Sequence, residues 1–333
     1  MKITVLGSGG WGTALALLLL ENGNEVTQWS YDPQQAERIR QQRENPLLKG
    51  VPLPEKLVVT SDFGAVADSD LVVMATPSFA VRDTARRLAP LLRADALVVS
   101  VSKGIEKDTA LCLTQVIQEE LGGKGRVVAL SGPSHAEEVG RRVPTGVVAA
   151  SEDMEAAHLV QDVFMNPRFR VYTNGDVMGV ELGAALKNVL ALCCGISDGM
   201  GLGDNTKALL MTRGMTEMAR LGVAMGGRKE TFAGLSGMGD LIVTCTSMHS
   251  RNRRCGILIG QGKPVEEAMR EVGAVVEGYY ATLSAHQLAE KMGVEMPIGQ
   301  CAYEVLYQGK PAEAVVEQLM TRVKRRETDE SWI

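Results

Sequence analysis

The sequence predicts an α/β protein: an N-terminal doubly wound parallel sheet followed by a mainly α-helical C-terminal domain. Three observations carry that prediction. Short β-branched runs alternate with helical spacing over the first half, a glycine-rich turn follows the first run, and strand-like runs thin out beyond about residue 180. Strands that are apolar throughout and separated by helices belong to a parallel sheet covered on both faces. The length of 333 residues suits two packed domains of roughly 100–200 residues each.

Taken in order, the runs at 3–6, 25–29, 57–60, 71–75, 97–101, 127–130, 146–150 and 169–172 read as strands. The stretches 11–22 and 110–121 have helical spacing. Later, Leu182, Ala185, Leu186, Val189, Leu190 and Cys193 recur as one apolar helix face. The turn-like Asn174-Gly175-Asp176 marks the junction, giving a dinucleotide-binding domain over 1–178 and a helical substrate-binding domain over 179–333. The tail 324–330 mixes charges of both signs and is expected to be solvated and frayed.

Composition narrows the function classes. With 45% apolar and 23% charged residues the chain has an ordinary globular balance. A net charge of −5 argues against a nucleic-acid partner, and 4% aromatic residues argue against a single-strand stacking platform. Cys112, Cys193, Cys194, Cys245, Cys255 and Cys301 form no CxxC pair, and the four histidines lie at no ligand spacing with them. No metal site is expected, and the thiols read as reduced residues of a cytoplasmic protein. Lys2 precedes an apolar stretch reaching Leu20, but Gly7, Gly9, Gly10 and Gly12 interrupt it and no small-residue cleavage site follows. No apolar run approaches the roughly 18 residues of a bilayer span, so no integral membrane segment is expected.

Gly7-Ser8-Gly9-Gly10-Trp11-Gly12 fits G-x-G-x-x-G directly after a strand and at the start of a helix. The first glycine permits the tight turn, the second lets backbone approach a pyrophosphate, and the third lets helix and strand pack closely. The helix start supplies N–H groups for the phosphates. In this βαβ context the motif predicts a Rossmann-type dinucleotide site. Asp32 stands at the position of the acid that meets an adenosine ribose, yet it precedes Pro33 and equally suits the start of a helix. Arg38, Arg40 and Arg43 are the alternative, as partners of a 2′-phosphate.

Two segments follow strand ends, where a cofactor's reactive end would be, and a third begins a helix. Lys103, in Ser102-Lys103-Gly104, is either a site lysine or a surface loop lysine. Ser134-x-x-Glu137 fits a capping box, and a helix start there would also suit an anion. Ser250 would cap a helix with Arg251 and Asn252 in its first turn. Arginine is unfavourable there unless an anion joins it, so this is a phosphate site or a basic surface turn.

Lys187 is the only charged side chain between Leu182 and Ser197 and lies off the apolar stripe, in line with Ala184, Ala191 and Cys194. It either faces a cleft between domains, where desolvation would lower its pKa towards proton-transfer use, or reaches water past small neighbours. Asn188 beside it would orient ligand or lysine. The glycine-rich 234–239 turn ends at Asp240, a carboxylate that would pair with Lys187, and Thr244 follows one turn later.

Together these segments resemble the NAD(P)-dependent glycerol-3-phosphate dehydrogenases of the bacterial type. The matching stretches are GSGGWGTALA at 7–16, SKG at 102–104, SGPSHAEEV at 131–139, ELGAALKN at 181–188, GLGDNTKA at 201–208, GLSGMGDL at 234–241, SRN at 250–252 and VEG at 276–278. The resemblance runs in order to about residue 310. It implies reversible hydride transfer between NADPH or NADH and dihydroxyacetone phosphate, giving sn-glycerol 3-phosphate for phospholipid synthesis, by a cytoplasmic homodimer. It implies Lys187 as proton donor and acceptor, with Asp240, Thr244 and Asn188 around it. Lys103, Gly132, Ser134, Asp240, Ser250, Arg251 and Asn252 are implied as substrate contacts. Gly10, Trp11, Tyr31, Lys103, Ala136, Arg251, Val275 and Glu277 are implied along the cofactor. The chain departs from the family at Ser30-Tyr31-Asp32, where a basic residue is common, so the choice between NADPH and NADH stays open. The rivals are a 3-hydroxyacid dehydrogenase of similar build and a nucleotide-sensing regulator; the latter needs a partner-binding element that this acidic chain does not offer.

Overall fold

The computed structural model describes residues 1–324, 326 and 327; of the charged tail, Arg325 and 328–330 lie outside the described residues. Eight strands form one sheet: β1 (Lys2–Leu6), β2 (Glu25–Trp29), β3 (Val58–Thr60), β4 (Leu71–Met74), β5 (Leu97–Ser100), β6 (Arg126–Ser131), β7 (Thr145–Ala150) and β8 (Phe169–Asn174). Their order is β3-β2-β1-β4-β5-β6-β7-β8. The order reverses direction between β1 and β4, the switch point where such sheets bind ligands at their carboxyl edge. Both faces are covered, as continuous apolar strands require. Ile3, Val5, Val73 and Val99 pack with Leu15, Leu19 and Val160 on one side, and Leu6, Val72, Met74 and Val98 with Leu88, Val116 and Ile117 on the other.

Two expectations need correction in this region. The sheet is not wholly parallel, because β6 and β7 pair antiparallel, Leu130 against Ala149. The connection between them holds only the five-residue helix Ala136–Gly140, too little for a crossover that would return the chain in the same direction. The helix expected at 110–121 is Leu113–Leu121. Ala110 has φ of 60°, a left-handed conformation that no right-handed helix contains.

The chain forms two compact units. One comprises residues 1–103 and 111–177, the other 104–110 and 178–333. The expected first domain, 1–178, therefore loses the 104–110 segment. That segment is tied to the helical unit by Ser284, whose Oγ donates to the Ile105 carbonyl at 3.3 Å, and by burial of Ile105.

The second unit is helical and is organised around the helix Val177–Gly199. By length and composition this helix could span a bilayer, but it is mostly buried inside the protein, as a core helix is. Its packing depends on glycine. On the helix Arg251–Gly260, a Cβ at Gly256 or Gly260 would overlap the carbonyl of Leu192 or Ile196, and one at Gly195 or Gly199 would overlap that of Arg253 or Ile257. The two backbones are thus in direct contact. Asp198, at the end of the long helix, ties Arg253 at 2.7 Å and Lys207 at 2.7 Å.

Candidate active site

In the first unit the parallel strands β1, β2, β4, β5 and β6 bring their carboxyl-end loops to one edge. After β1 the chain turns at Gly7, whose φ of 133° is open to glycine but strained for other residues. A Cβ on Gly12 would overlap the Gly7 carbonyl, so the helix Gly10–Glu21 starts hard against the turn. A Cβ on Gly9 would meet nothing within 4 Å, so the backbone there borders open space. The helix start has no side-chain cap and no acidic residue in its first turn. Trp11 Nε1 is buried without a hydrogen-bond partner among the described residues. This donor-rich cradle fits a pyrophosphate, and Ala136 lies beside it, its Cβ 3.6 Å from the Cβ position of Gly10.

Asp32 caps the next helix: its Oδ1 accepts from Gln34 N–H at 2.8 Å, and the helix runs Pro33–Gln42. The helix-start reading of this residue therefore holds in the structure. Among the alternative arginines, Arg40 pairs with Glu37 and Arg43 donates to the carbonyls of Leu53, Pro54 and Leu57. Arg38 and Tyr31 are exposed.

Lys103, Gly132 and Ser134 come together. Lys103 Nζ donates to the Gly132 carbonyl at 3.1 Å, and Ser134 Oγ donates to the same oxygen at 2.9 Å. The expected capping box is absent, because the helix begins one residue later, with His135 at the cap position. Ser134 is bent back to Gly132 instead.

In the second unit Lys187 is 5% exposed, which removes the reading in which it reaches water. Its Nζ donates to Asp240 Oδ1 at 2.7 Å and to Thr244 Oγ1 at 2.6 Å. The Thr244 hydroxyl in turn donates to the Asp240 carbonyl at 2.6 Å. The geometry follows from the glycine-rich segment. Leu235–Gly239 forms a π-helical turn, and Gly183 on the lysine helix lies so close that a Cβ there would sit 3.0 Å from the Ser236 carbonyl. Such turns recur at functional sites. This one delivers Asp240 to the start of the helix Asp240–Thr246, with Thr244 one turn along.

Ser250 caps the helix Arg251–Gly260 by accepting from Arg253 N–H at 3.2 Å. Arg251 is exposed in the first turn, while Asn252 is buried. Asn252 Nδ2 donates to Asn188 Oδ1 at 2.9 Å, and Asn252 Oδ1 accepts from Gly278 N–H at 2.8 Å. Asn188 thus braces this turn, and Glu277 opens the helix Glu277–Met292 beside it, with Val275 two residues earlier. Residues that sequence reasoning passed over include Thr13, Gln28 and Asn45 behind the glycine turn, and Glu217, a buried carboxylate that accepts from Ile298 and Gly299 N–H. A lone amide within the β2 strand and a lone acid inside a buried helix face were the available signals.

Two family models cover this chain: the N-terminal model of NAD-dependent glycerol-3-phosphate dehydrogenase matches residues 2–157 and the C-terminal model matches residues 176–317. The chain belongs to that family. It is 55% identical over 330 residues to glycerol-3-phosphate dehydrogenase [NAD(P)+] of Moorella thermoacetica, covering 98% of each chain. With the Bacillus subtilis protein of the same name it shares 50% over 333 residues, covering 99% of this chain and 96% of the other. The fold superposes on the crystal structure of glycerol-3-phosphate dehydrogenase from Coxiella burnetii with a TM-score of 0.93 at 38% identity, covering 96% and 99% of the two chains. The chain is an oxidoreductase that interconverts dihydroxyacetone phosphate and glycerol 3-phosphate with NADH or NADPH, the family's supply of glycerol 3-phosphate for phospholipid synthesis.

Proposed function

We propose that Lys187 is the proton donor and acceptor of this reaction, that Arg251 and Asn252 bind the substrate phosphate, and that Lys103 offsets charge on the reacting oxygen. The buried contact of Lys187 with Asp240 and Thr244 carries this reading. When bound, the nicotinamide supplies or accepts the hydride. As C2 of dihydroxyacetone phosphate is reduced, its oxygen gains negative charge, and Lys187 gives that oxygen a proton. In the reverse direction Lys187 takes the proton from the C2 hydroxyl. Asp240 and Thr244 fix where the ammonium points, and Asp240 offsets its buried charge. The part proposed for Lys103 is to offset the charge of the developing alkoxide, the kind of help that favours the transition state over the ground state.

Gly132 and Ser134, bonded around one carbonyl with Lys103, belong to the substrate set, as does Ser250 through the turn that it caps. One amide hydrogen of Asn252 is engaged by Asn188; a primary amide has a second, and that one is assigned to the phosphate. Gly7, Gly9, Gly10, Trp11, Gly12, Tyr31, Lys103, Ala136, Arg251, Val275 and Glu277 are the residues proposed to contact the dinucleotide. A homodimer in the cytoplasm completes the reading. Family membership supports the dimer, and six free cysteines support a reducing compartment.

The test is Lys187→Ala beside Lys187→Arg. General acid–base help is worth about 10²–10⁴ in rate, so kcat should fall at least about a hundredfold while dinucleotide affinity survives. Arginine holds its proton too firmly to rescue. A kcat near wild type in either variant would remove Lys187 from the mechanism.

A further inference from the structure

Two fully buried amides stand behind the glycine turn with no part in the roles above: Gln28 in β2, and Asn45 in the segment after the helix Pro33–Gln42. Gln28 Nε2 donates to the Gly7 carbonyl at 3.1 Å and to Thr13 Oγ1 at 2.8 Å. Asn45 Nδ2 donates to the Ser8 carbonyl at 2.9 Å and to the same Thr13 Oγ1 at 2.6 Å. Half-buried Gln35 adds a bond from its Nε2 to the Ser8 carbonyl at 3.2 Å. Asn45 is itself held, since its Oδ1 accepts from Leu47 N–H at 2.9 Å, and the Leu47 carbonyl lies where a Cβ on Gly10 would fall.

Peptide units are planar and trans, so each N–H points opposite its carbonyl. Holding the Gly7 and Ser8 carbonyls inward turns the N–H groups of Ser8 and Gly9 outward, towards the open space beside Gly9. A glycine-rich turn can flip such peptides, and a flipped unit would present a carbonyl oxygen to an anion. We propose that Asn45, aided by Gln28, is a positioning residue for dinucleotide binding: it locks the peptides of residues 7–9 with their N–H groups facing the pyrophosphate. The inference rests on the assignment of the 7–12 turn to the dinucleotide.

The experiment uses the full-length chain and measures NADH and NADPH dissociation constants by nucleotide fluorescence, with Tm and steady-state kinetics alongside. Losing one partner of a buried hydrogen bond is worth about 1–3 kcal/mol, roughly a 5- to 150-fold change. Asn45→Ala should weaken both dinucleotides at least about fivefold. Asn45→Asp keeps the acceptor for Leu47 but sets a carboxylate against the Ser8 carbonyl, and should weaken them at least as much. Because this is lost ground-state binding, the dinucleotide KM should rise while kcat at saturation and the KM for dihydroxyacetone phosphate stay within about twofold. A lowered Tm with unchanged dissociation constants would mean a purely structural amide and overturn the proposal. Should Asn45→Ala fail to fold, Gln35→Ala replaces it: a weaker dinucleotide complex at unchanged Tm supports the proposal, and an unchanged one overturns it. Gly9→Val tests the underlying assignment separately, since its side chain enters open space without disturbing the fold. It should abolish dinucleotide binding; if binding persists, the assignment falls and the proposal with it. If Gly9→Val abolishes binding while the Asn45 variants bind as wild type, only the proposal falls.

Discussion

Lys187 and Asp240 meet at 2.7 Å with 6% and 2% of their side chains exposed. Two charges taken out of water are tolerated only as a pair, because each carries a desolvation penalty that its partner and further hydrogen bonds must offset. Thr244 supplies the further bond, accepting from the lysine and donating onward to the Asp240 backbone. The contact is therefore both the centre of the proposed chemistry and a point of structural risk.

Asp240→Asn should destabilise the protein by about 3–5 kcal/mol, the usual effect of leaving one buried charge without its partner. Replacing both partners, as in the double variant Lys187→Met with Asp240→Asn, should recover much of that loss while remaining inactive. Urea unfolding of the two singles and the double gives the coupling energy directly. Additive losses would show that the two residues do not act as a pair.

Arg251→Ala should raise the KM for dihydroxyacetone phosphate at least about tenfold, in line with the loss of a charge-assisted contact worth about 1.5–3 kcal/mol. It should also lower kcat, because a phosphate that is not held lets the carbonyl drift from reacting geometry. At saturating dinucleotide, turnover of unphosphorylated dihydroxyacetone should change little. Equal losses on the two substrates at saturating dinucleotide would remove Arg251 from the substrate phosphate and leave it to the dinucleotide or the fold alone.

Gly256→Ala tests the backbone contact of the lysine helix. The added methyl would overlap the Leu192 carbonyl and sit 2.8 Å from the Ile196 nitrogen, so the helices must separate. Overpacking of this kind typically destabilises by about 1–3 kcal/mol, here towards the upper end because backbone cannot yield as a side chain does. Chemical denaturation should show the loss, and kcat/KM should fall with it, since Ser250–Asn252 ride on the displaced helix. A variant as stable as the parent would mean that the crossing relaxes freely.

Burial raises the Glu217 carboxyl to about 7, against the opposing pull of its bonds from Ile298 and Gly299 N–H and of the Arg220 and Arg322 charges. The folded group thus holds its proton to about pH 7, where an unperturbed glutamate releases it near 4.5. Its contribution to stability is fully present below about 4.5 and is lost as pH rises through about 7, by about 3 kcal/mol in all. Thermal unfolding between pH 5 and 8.5 should therefore fall more steeply for the wild type than for Glu217→Gln, which cannot titrate. Parallel curves would show that Glu217 is ionised throughout.

Elements whose signal is local were legible in the sequence. An apolar run as short and as rich in valine as 71–75 suits a buried strand better than a helix, and β4 occupies Leu71–Met74. Lys187 was legible because a lone charge in an apolar helix must find a partner, and Asp240 is that partner. What escaped was decided at a distance. Ser134 fits a cap by spacing, but the Gly132 carbonyl, turned back towards it, captures its hydroxyl. Strand polarity at β7 depends on how short the helix between it and β6 is, which periodicity does not report. Asn45 looks like any loop asparagine until the glycine turn is folded against it. The 104–110 segment lies between two parts of one unit in sequence and packs with the other.

The contact of Gly195 and Gly199 with Gly256 and Gly260 contains no side chains, so it has no rotamers to exchange. Together with the Asp198–Arg253 ion pair, that backbone contact holds the span from Lys187 to the Ser250–Asn252 turn more firmly than the packing of movable side chains alone would. Mutational drift in the surrounding helices can then accumulate without altering that span. The four glycines act as a fixed gauge, and sequence variation in this domain is tolerated around them rather than through them.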